Sequence, residues 1–248
     1  MIKTWGNDDI QDKEAFGNQV LYDMCSKVPY HNDEGIVGGK CWLIGRAYAA
    51  SPQRRRTKDK SNNTEGYDFF FDRLGSEIVK NGKAVILDEG IRTFSTASYT
   101  GSYEKDILLL LKSMEMVNLM NELIRESLTK IDRPSDQNND EINGVNNTIS
   151  FSSKYIHFHM RNIVYIYDKY SRVNAPAVYK ALGLNNQMKN AIAKDLRTTF
   201  LEAHMAEYRR HVANCYSLSL QISKSFLLNP RCIDTFLLRE MWNGGTPT

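Results

Sequence analysis

The chain has 248 residues, with 32 basic and 29 acidic side chains and a formal charge of +3. Hydrophobic residues make up 42% and charged residues 25%, which suits a globular protein of one large domain or two small lobes. The longest aliphatic run, Ile107 to Leu111, is too short to cross a membrane, the chain opens on no apolar segment of signal-peptide length, and the net charge is too weak to imply a nucleic-acid partner by itself.

Asp8 to Val28 carries a helical pattern with acids at its start. Gly39 to Ser51 is an apolar segment, Trp42-Leu43-Ile44-Gly45-Arg46-Ala47-Tyr48-Ala49-Ala50, closed by Pro52. A polar loop, Gln53 to Gly66, follows. Between Arg46 and Lys60 stand Arg46, Arg54, Arg55, Arg56, Lys58 and Lys60 against one acid, Asp59. Such an excess reads either as a local phosphate footprint or as a solvated loop. Tyr67 to Lys80 is helical, with Phe70, Leu74 and Ile78 buried, and Asn81-Gly82 breaks it. Tyr103 to Ile131 has the strongest periodicity: Ile107, Leu110, Leu111, Met114, Val117, Met120, Ile124 and Leu128 recur at steps of three and four. This predicts one long amphipathic helix facing a core, with its methionines as packing residues.

Arg133 to Asn147 is too polar to pack and reads as a linker. The expected organisation is therefore an N-terminal helical lobe over 1–132, a linker over 133–147 and a C-terminal helical lobe over 148–248, with a cleft between the lobes. Phe151 to Tyr167 is rich in aromatic and β-branched residues, and propensity alone favours two strands around Arg161-Asn162. Helical patterns return at Ala175 to Leu182 (ended by Gly183), at Asn186 to about Ser223 with a break expected inside, and at Arg231 to Trp242. Pro176 and Pro230 are read as first-turn prolines. The fold class expected is mainly α.

Cys25, Cys41, Cys215 and Cys232 form no close pair, so reduced thiols in a cytoplasmic protein are the expectation. The five histidines form no H-E-x-x-H, and there is no glycine-rich P-loop, G-x-G-x-x-G or G-x-S-x-G. Neither a metal nor a nucleotide cofactor is expected.

Ser150-Phe151-Ser152-Ser153-Lys154 is followed, fourteen residues after the lysine, by Asp168 in Tyr165-Ile166-Tyr167-Asp168. This segment resembles the active-site core of helix-hairpin-helix DNA glycosylases of the 8-oxoguanine glycosylase type. It is similar in particular to the bacterial proteins described as OGG-fold, as are the tract Trp42 to Ser51 and the start Pro230-Arg231-Cys232-Ile233-Asp234. The resemblance covers about a third of the chain. It implies a tight hairpin flanked by small residues, a helix opened by Lys154, a short extended stretch, and a second helix begun by Asp168. Ser150 and Ser152 stand where the family has glycines, so hydroxyls rather than bare backbone would meet a phosphate there.

The resemblance implies an enzyme that flips a nucleotide out of duplex DNA and breaks the bond between base and C1′. Asp168 would stabilise the positive charge developing on the sugar, orient a water or deprotonate an amine. Lys154, at a helix N-terminus and buried, would form an imine with the sugar, or would position a phosphate or a water. Ser150, Ser152 and Ser153 would border the site. His157 would make a polar contact at the pocket edge, and Tyr165 would stack on the base or pack the core. Trp42, Arg46 and Tyr48 share a short helical stretch suited to a base pocket, with Arg54, Arg55 and Arg56 as phosphate contacts. The OGG-fold subgroup includes an anti-phage enzyme that removes glucosylated hydroxymethylcytosine, which makes a modified phage cytosine the expected base ahead of 8-oxoguanine. A monomer acting on double-stranded DNA follows, with no membrane partner. A competing reading rests on Arg197 and His204, whose spacing on one expected helix is similar to the R-x4-6-H motif of HEPN ribonucleases. A non-catalytic DNA-binding protein is the third.

Overall fold

The computed structural model describes residues 16–47, 67–132, 148–222 and 229–242. Among them the regular structure is helical, with no strand. In chain order the helices are α1 (Phe16–Lys27), α2 (Glu34–Ala47), α3 (Tyr67–Val79), α4 (Lys83–Phe94), α5 (Tyr103–Asp132), α6 (Ile149–His159), α7 (Lys169–Ala181), α8 (Asn186–Thr199), α9 (Ala206–Gln221) and α10 (Pro230–Trp242). A 3-10 turn, Ala203–Met205, precedes α9. Expected helices over 67–80 and 103–131 are present as α3 and α5, and the break expected after Asn186 falls at Phe200–Glu202.

Packing groups the described residues into two compact units. The first takes in residues 16–47, 67–95, 116–132 and 148–159, the second 96–115, 160–222 and 229–242. The grouping follows packing rather than chain order, because α6 lies against α1 and α2.

In the first unit α2 begins five residues earlier than the apolar pattern alone suggests. The Asp33 carboxylate accepts the Ile36 backbone N–H at 2.9 Å and so satisfies one of the orphan donors of the first turn. Helices α2 and α3 cross at glycines. A Cβ on Gly75 would come within 2.5 Å of the Glu34 carbonyl and the Gly38 nitrogen, so the two backbones touch with no side chain between them. Helix α4 has no counterpart in the sequence reading, since exposed Val85 and Ile86 blur the stripe formed by Ala84, Leu87 and Ile91.

Phe151 to Tyr167 is not two paired strands: it resolves into the greater part of α6, in the first unit, and, in the second, a turn followed by a stretch that is neither helix nor strand. Val164 to Tyr167 forms no strand, and extended backbone is recorded at Asp168, which follows it. Side chains replace the missing strand. Tyr99 Oη donates to the Ile163 carbonyl, Tyr208 Oη to the Tyr165 carbonyl at 2.9 Å, and both His211 Nε2 (2.9 Å) and Ser171 Oγ (3.2 Å) reach the Ile166 carbonyl. Buried carbonyls need such partners. Asp106, fully buried, ties the start of α5 to α9 in the same way. It accepts Thr100 N (2.8 Å), Thr100 Oγ1 (2.9 Å), Gly101 N (2.9 Å) and Tyr216 Oη (2.8 Å). Pro176 lies in the interior of α7, not in a first turn, because that helix starts at Lys169. Pro230 does open α10.

Candidate functional site

Asp168 stands at the junction of this non-helical stretch and α7. It is the N-cap residue, with extended backbone (φ −128°, ψ 176°), and its Oδ1 accepts the Ser171 N–H at 2.7 Å. Ser171 Oγ in turn accepts the Asp168 N–H at 3.2 Å, a reciprocal capping box that fixes the carboxylate's direction. The residue is half-buried, and its second oxygen has no hydrogen-bond partner among the described residues. Beside it His211 is buried, and burial lowers its pKa to about 4, although the Ile166 carbonyl and Asp168 act in the opposite sense. A neutral imidazole therefore donates Nε2–H to Ile166, and no cation neutralises Asp168 from that side.

Lys154 lies on α6, in the first unit, and is almost wholly buried. It is the sixth residue of that helix, not its opening one. Ser150, Ser152 and Ser153 are helical as well, not part of a turn before it. The macrodipole acts within the first turn, so a dipole effect on Lys154 is not available. The reason is local: Ser152 Oγ donates to the Thr148 carbonyl at 2.8 Å, and its N–H bonds the same carbonyl, so the helix is already under way at Thr148. Ser153 Oγ likewise turns back to the Ser150 carbonyl at 3.2 Å. The hairpin expected at Ser150 to Ser153 is therefore not confirmed, because those residues lie inside α6.

His157 is buried on the same helix, 2.9 Å from Tyr22 Oη. Tyr165 is buried and stacks on Tyr99 with ring centroids 5.8 Å apart. Trp42 and Arg46 do share a face of α2, with the guanidinium 5.8 Å from the indole centroid, and both are exposed. Tyr48, Arg54, Arg55 and Arg56 lie outside the described residues. Arg197 and His204 do not share a helix. Helix α8 ends at Thr199, and His204 sits in the 3-10 turn, 3.8 Å from Glu202.

The first unit also holds a buried polar cluster that no spacing in the sequence announces. His31 Nδ1 lies 2.6 Å from Asp88 Oδ1, and its Nε2 lies 2.9 Å from Tyr155 Oη. Burial lowers the His31 pKa more than Asp88 restores it, and raises that of Tyr155 far above its ordinary value. A neutral imidazole then donates from Nδ1 to Asp88 and accepts the tyrosine proton at Nε2. Lys40, fully buried nearby, donates to the Val28 carbonyl at 2.5 Å, and desolvation lowers its pKa. The His159 ring faces His31 and Tyr155 with both nitrogens lacking hydrogen-bond partners. Contacts of 57 and 124 residues' separation carry no local sequence signal. No group of three or more metal-ligating side chains occurs among the described residues, and no described helix is long and apolar enough to cross a membrane.

No protein-family model, curated protein or solved structure matches the chain.

Proposed function

We propose that the protein is a DNA glycosylase that releases a flipped-out modified base, with glucosylated hydroxymethylcytosine of phage DNA as the substrate and anti-phage defence as the role. The observation that carries this reading is Asp168. It is the extended N-cap residue of α7, one carboxylate oxygen is locked by the capping box, and the other has no described partner. The resemblance likewise expects an aspartate that begins a helix after a non-helical stretch.

In this reading the C1′–N bond breaks with its electron pair leaving on the base. The sugar becomes oxocarbenium-like, and the Asp168 carboxylate stabilises that charge. Water then adds at C1′ and gives up a proton to Asp168, leaving an abasic site. A second route would use an amine, for which the resemblance assigns Lys154: its N–C1′ bond forms as the bond to the base breaks, and the C1′–O4′ bond then opens with a proton passing from the amine to O4′, which leaves an imine. A glucosylated base would require polar contacts to sugar hydroxyls as well as to the base edge.

Asp168→Asn keeps a side-chain oxygen for Ser171 and so preserves the cap. The variant is expected to retain its melting temperature and its DNA affinity while losing at least a hundredfold in base release, read as alkali-labile breaks in glucosylated phage DNA but not in unmodified DNA. Wild-type release by this variant removes Asp168 from the reaction. Borohydride trapping separates the two routes, because a covalent protein–DNA adduct abolished by Lys154→Gln requires the imine.

A further inference from the structure

We infer that the turn between α7 and α8, together with the outer face of α8, is a docking surface for the phosphodiester backbone of duplex DNA. This rests on the proposed function only for the identity of the partner; the surface is separate from Asp168. From Lys169 to Phe200 stand Lys169, Arg172, Lys180, Lys189, Lys194 and Arg197 against a single acid, Asp195, whereas the whole chain carries only +3. The excess was not evident as a run because the cations are three to nine residues apart; folding gathers four of them on two adjoining features.

The first feature is a cleft of about 520 Å³ lined by Lys180, Lys189, Tyr179, Asn186 and Gly183. Gly183, with φ +60°, makes the turn that brings the end of α7 against the start of α8. Lys189 Nζ rests 4.9 Å from the Tyr179 ring centroid and 2.7 Å from Asn186 Oδ1, which holds its charge at the cleft wall. Lys180 is exposed on the other side.

The second feature is the ridge of α8. Ile192 and Leu196 bury one face of this helix in the unit's core, leaving Asn190, Lys194 and Arg197 exposed. Fourteen residues of helix are about 21 Å long, roughly the axial length of six base pairs. At its end Arg209 donates to the Phe200 carbonyl, and its charged form is disfavoured first by burial and then by Arg197 and Arg210. None of Lys180, Lys189, Lys194, Arg197, Arg209 and Arg210 forms an ion pair among the described residues. Two acids lie nearby: Asp195, exposed on α8, accepts Tyr103 Oη at 2.7 Å and keeps its charge, and Glu207 holds Arg172 and Tyr167 and attracts Arg210. Cations in excess over the acids beside them are relieved by a polyanion, and the release of its condensed ions drives the association.

The test is fluorescence anisotropy with an unmodified 20-base-pair duplex between 50 and 200 mM salt. It compares wild type, the triple variant Lys180→Glu/Lys194→Glu/Arg197→Glu, and a control with the same charge change on α5, Lys105→Glu/Lys112→Glu/Arg125→Glu. All six side chains are exposed, and circular dichroism checks that both variants keep their helices. The α7–α8 variant is expected to bind more than tenfold more weakly, with a log–log salt slope shallower by about 2 to 3; the control stays within about threefold of wild type. An unchanged slope in the α7–α8 variant overturns the inference, as does equal weakening by the control, or a wild type without affinity for the duplex. Base release at saturating modified DNA is scored separately and bears on Asp168 alone.

Discussion

Several single side chains in this protein hold backbone that has no other partner, and this sets what their loss should cost. Tyr208 Oη is the described donor to the Tyr165 carbonyl. Removing it leaves a buried acceptor unsatisfied, so Tyr208→Phe should lower unfolding free energy by about 1–3 kcal/mol in urea titration, with the m-value unchanged. Asp168 has a structural and a chemical share that can be separated by choice of substitution. Asp168→Ala loses the cap and should cost about 0.5–2 kcal/mol, whereas Asp168→Asn, still capping, should cost a fraction of that. A base-release defect shared by both variants, with destabilisation confined to the alanine, would place the carboxylate's charge in the reaction.

At the level of elements, the closest approach is that of α2 and α3. A methyl group on Gly75 meets backbone on both sides, not a side chain that can swing away. Gly75→Ala should therefore destabilise by about 1–3 kcal/mol, read as a lower midpoint in urea, while Gly82→Ala, which faces open space, should be close to neutral. Elements with a clean stripe were legible from sequence: α5 repeats its apolar residues at steps of three and four, and α3 does so over Phe70, Leu74 and Ile78. Helix α4 was not, because two of its branched aliphatics face outward. The stretch from Phe151 to Tyr167 was half legible. Its second half is not helical, as its preference suggests, but Val164 to Tyr167 forms no strand, and its carbonyls meet Tyr208 and His211 from distant parts of the chain instead of a strand partner. Asp168 at a helix start was legible from its type and position. The mid-helix setting of Lys154 was not, since the helix begins on a Thr148 carbonyl bond that the serines themselves continue.

For the molecule as a whole, His31, His159 and His211 are buried in states that disfavour their charged forms, the first two in one unit and the third in the other. Each therefore has a lower pKa folded than unfolded. Below the unfolded value of about 6.5 the unfolded chain binds more protons, so stability present at neutral pH is lost as pH falls. For His211 the loss runs from about 6.5 down to about 4 and amounts to roughly 3 kcal/mol. Thermal melts should show a flat melting temperature above pH 7 and a steady decline from pH 6.5 toward 4, and His211→Gln should make that decline shallower. An unchanged melting temperature down to pH 5 in wild type would mean that these imidazoles ionise freely.

The non-helical stretch before Asp168 has one more consequence. Ile163-Val164-Tyr165-Ile166-Tyr167 is uncharged, free of proline and glycine, and dense in β-branched and aromatic residues, the composition of a steric zipper. Its carbonyls are kept from other chains by three hydroxyls and an imidazole, of which Tyr208 and His211 belong to α9. Partial detachment of α9 would expose a fibril-forming edge, so conditions that loosen that helix should promote thioflavin-positive aggregation before the rest of the chain unfolds.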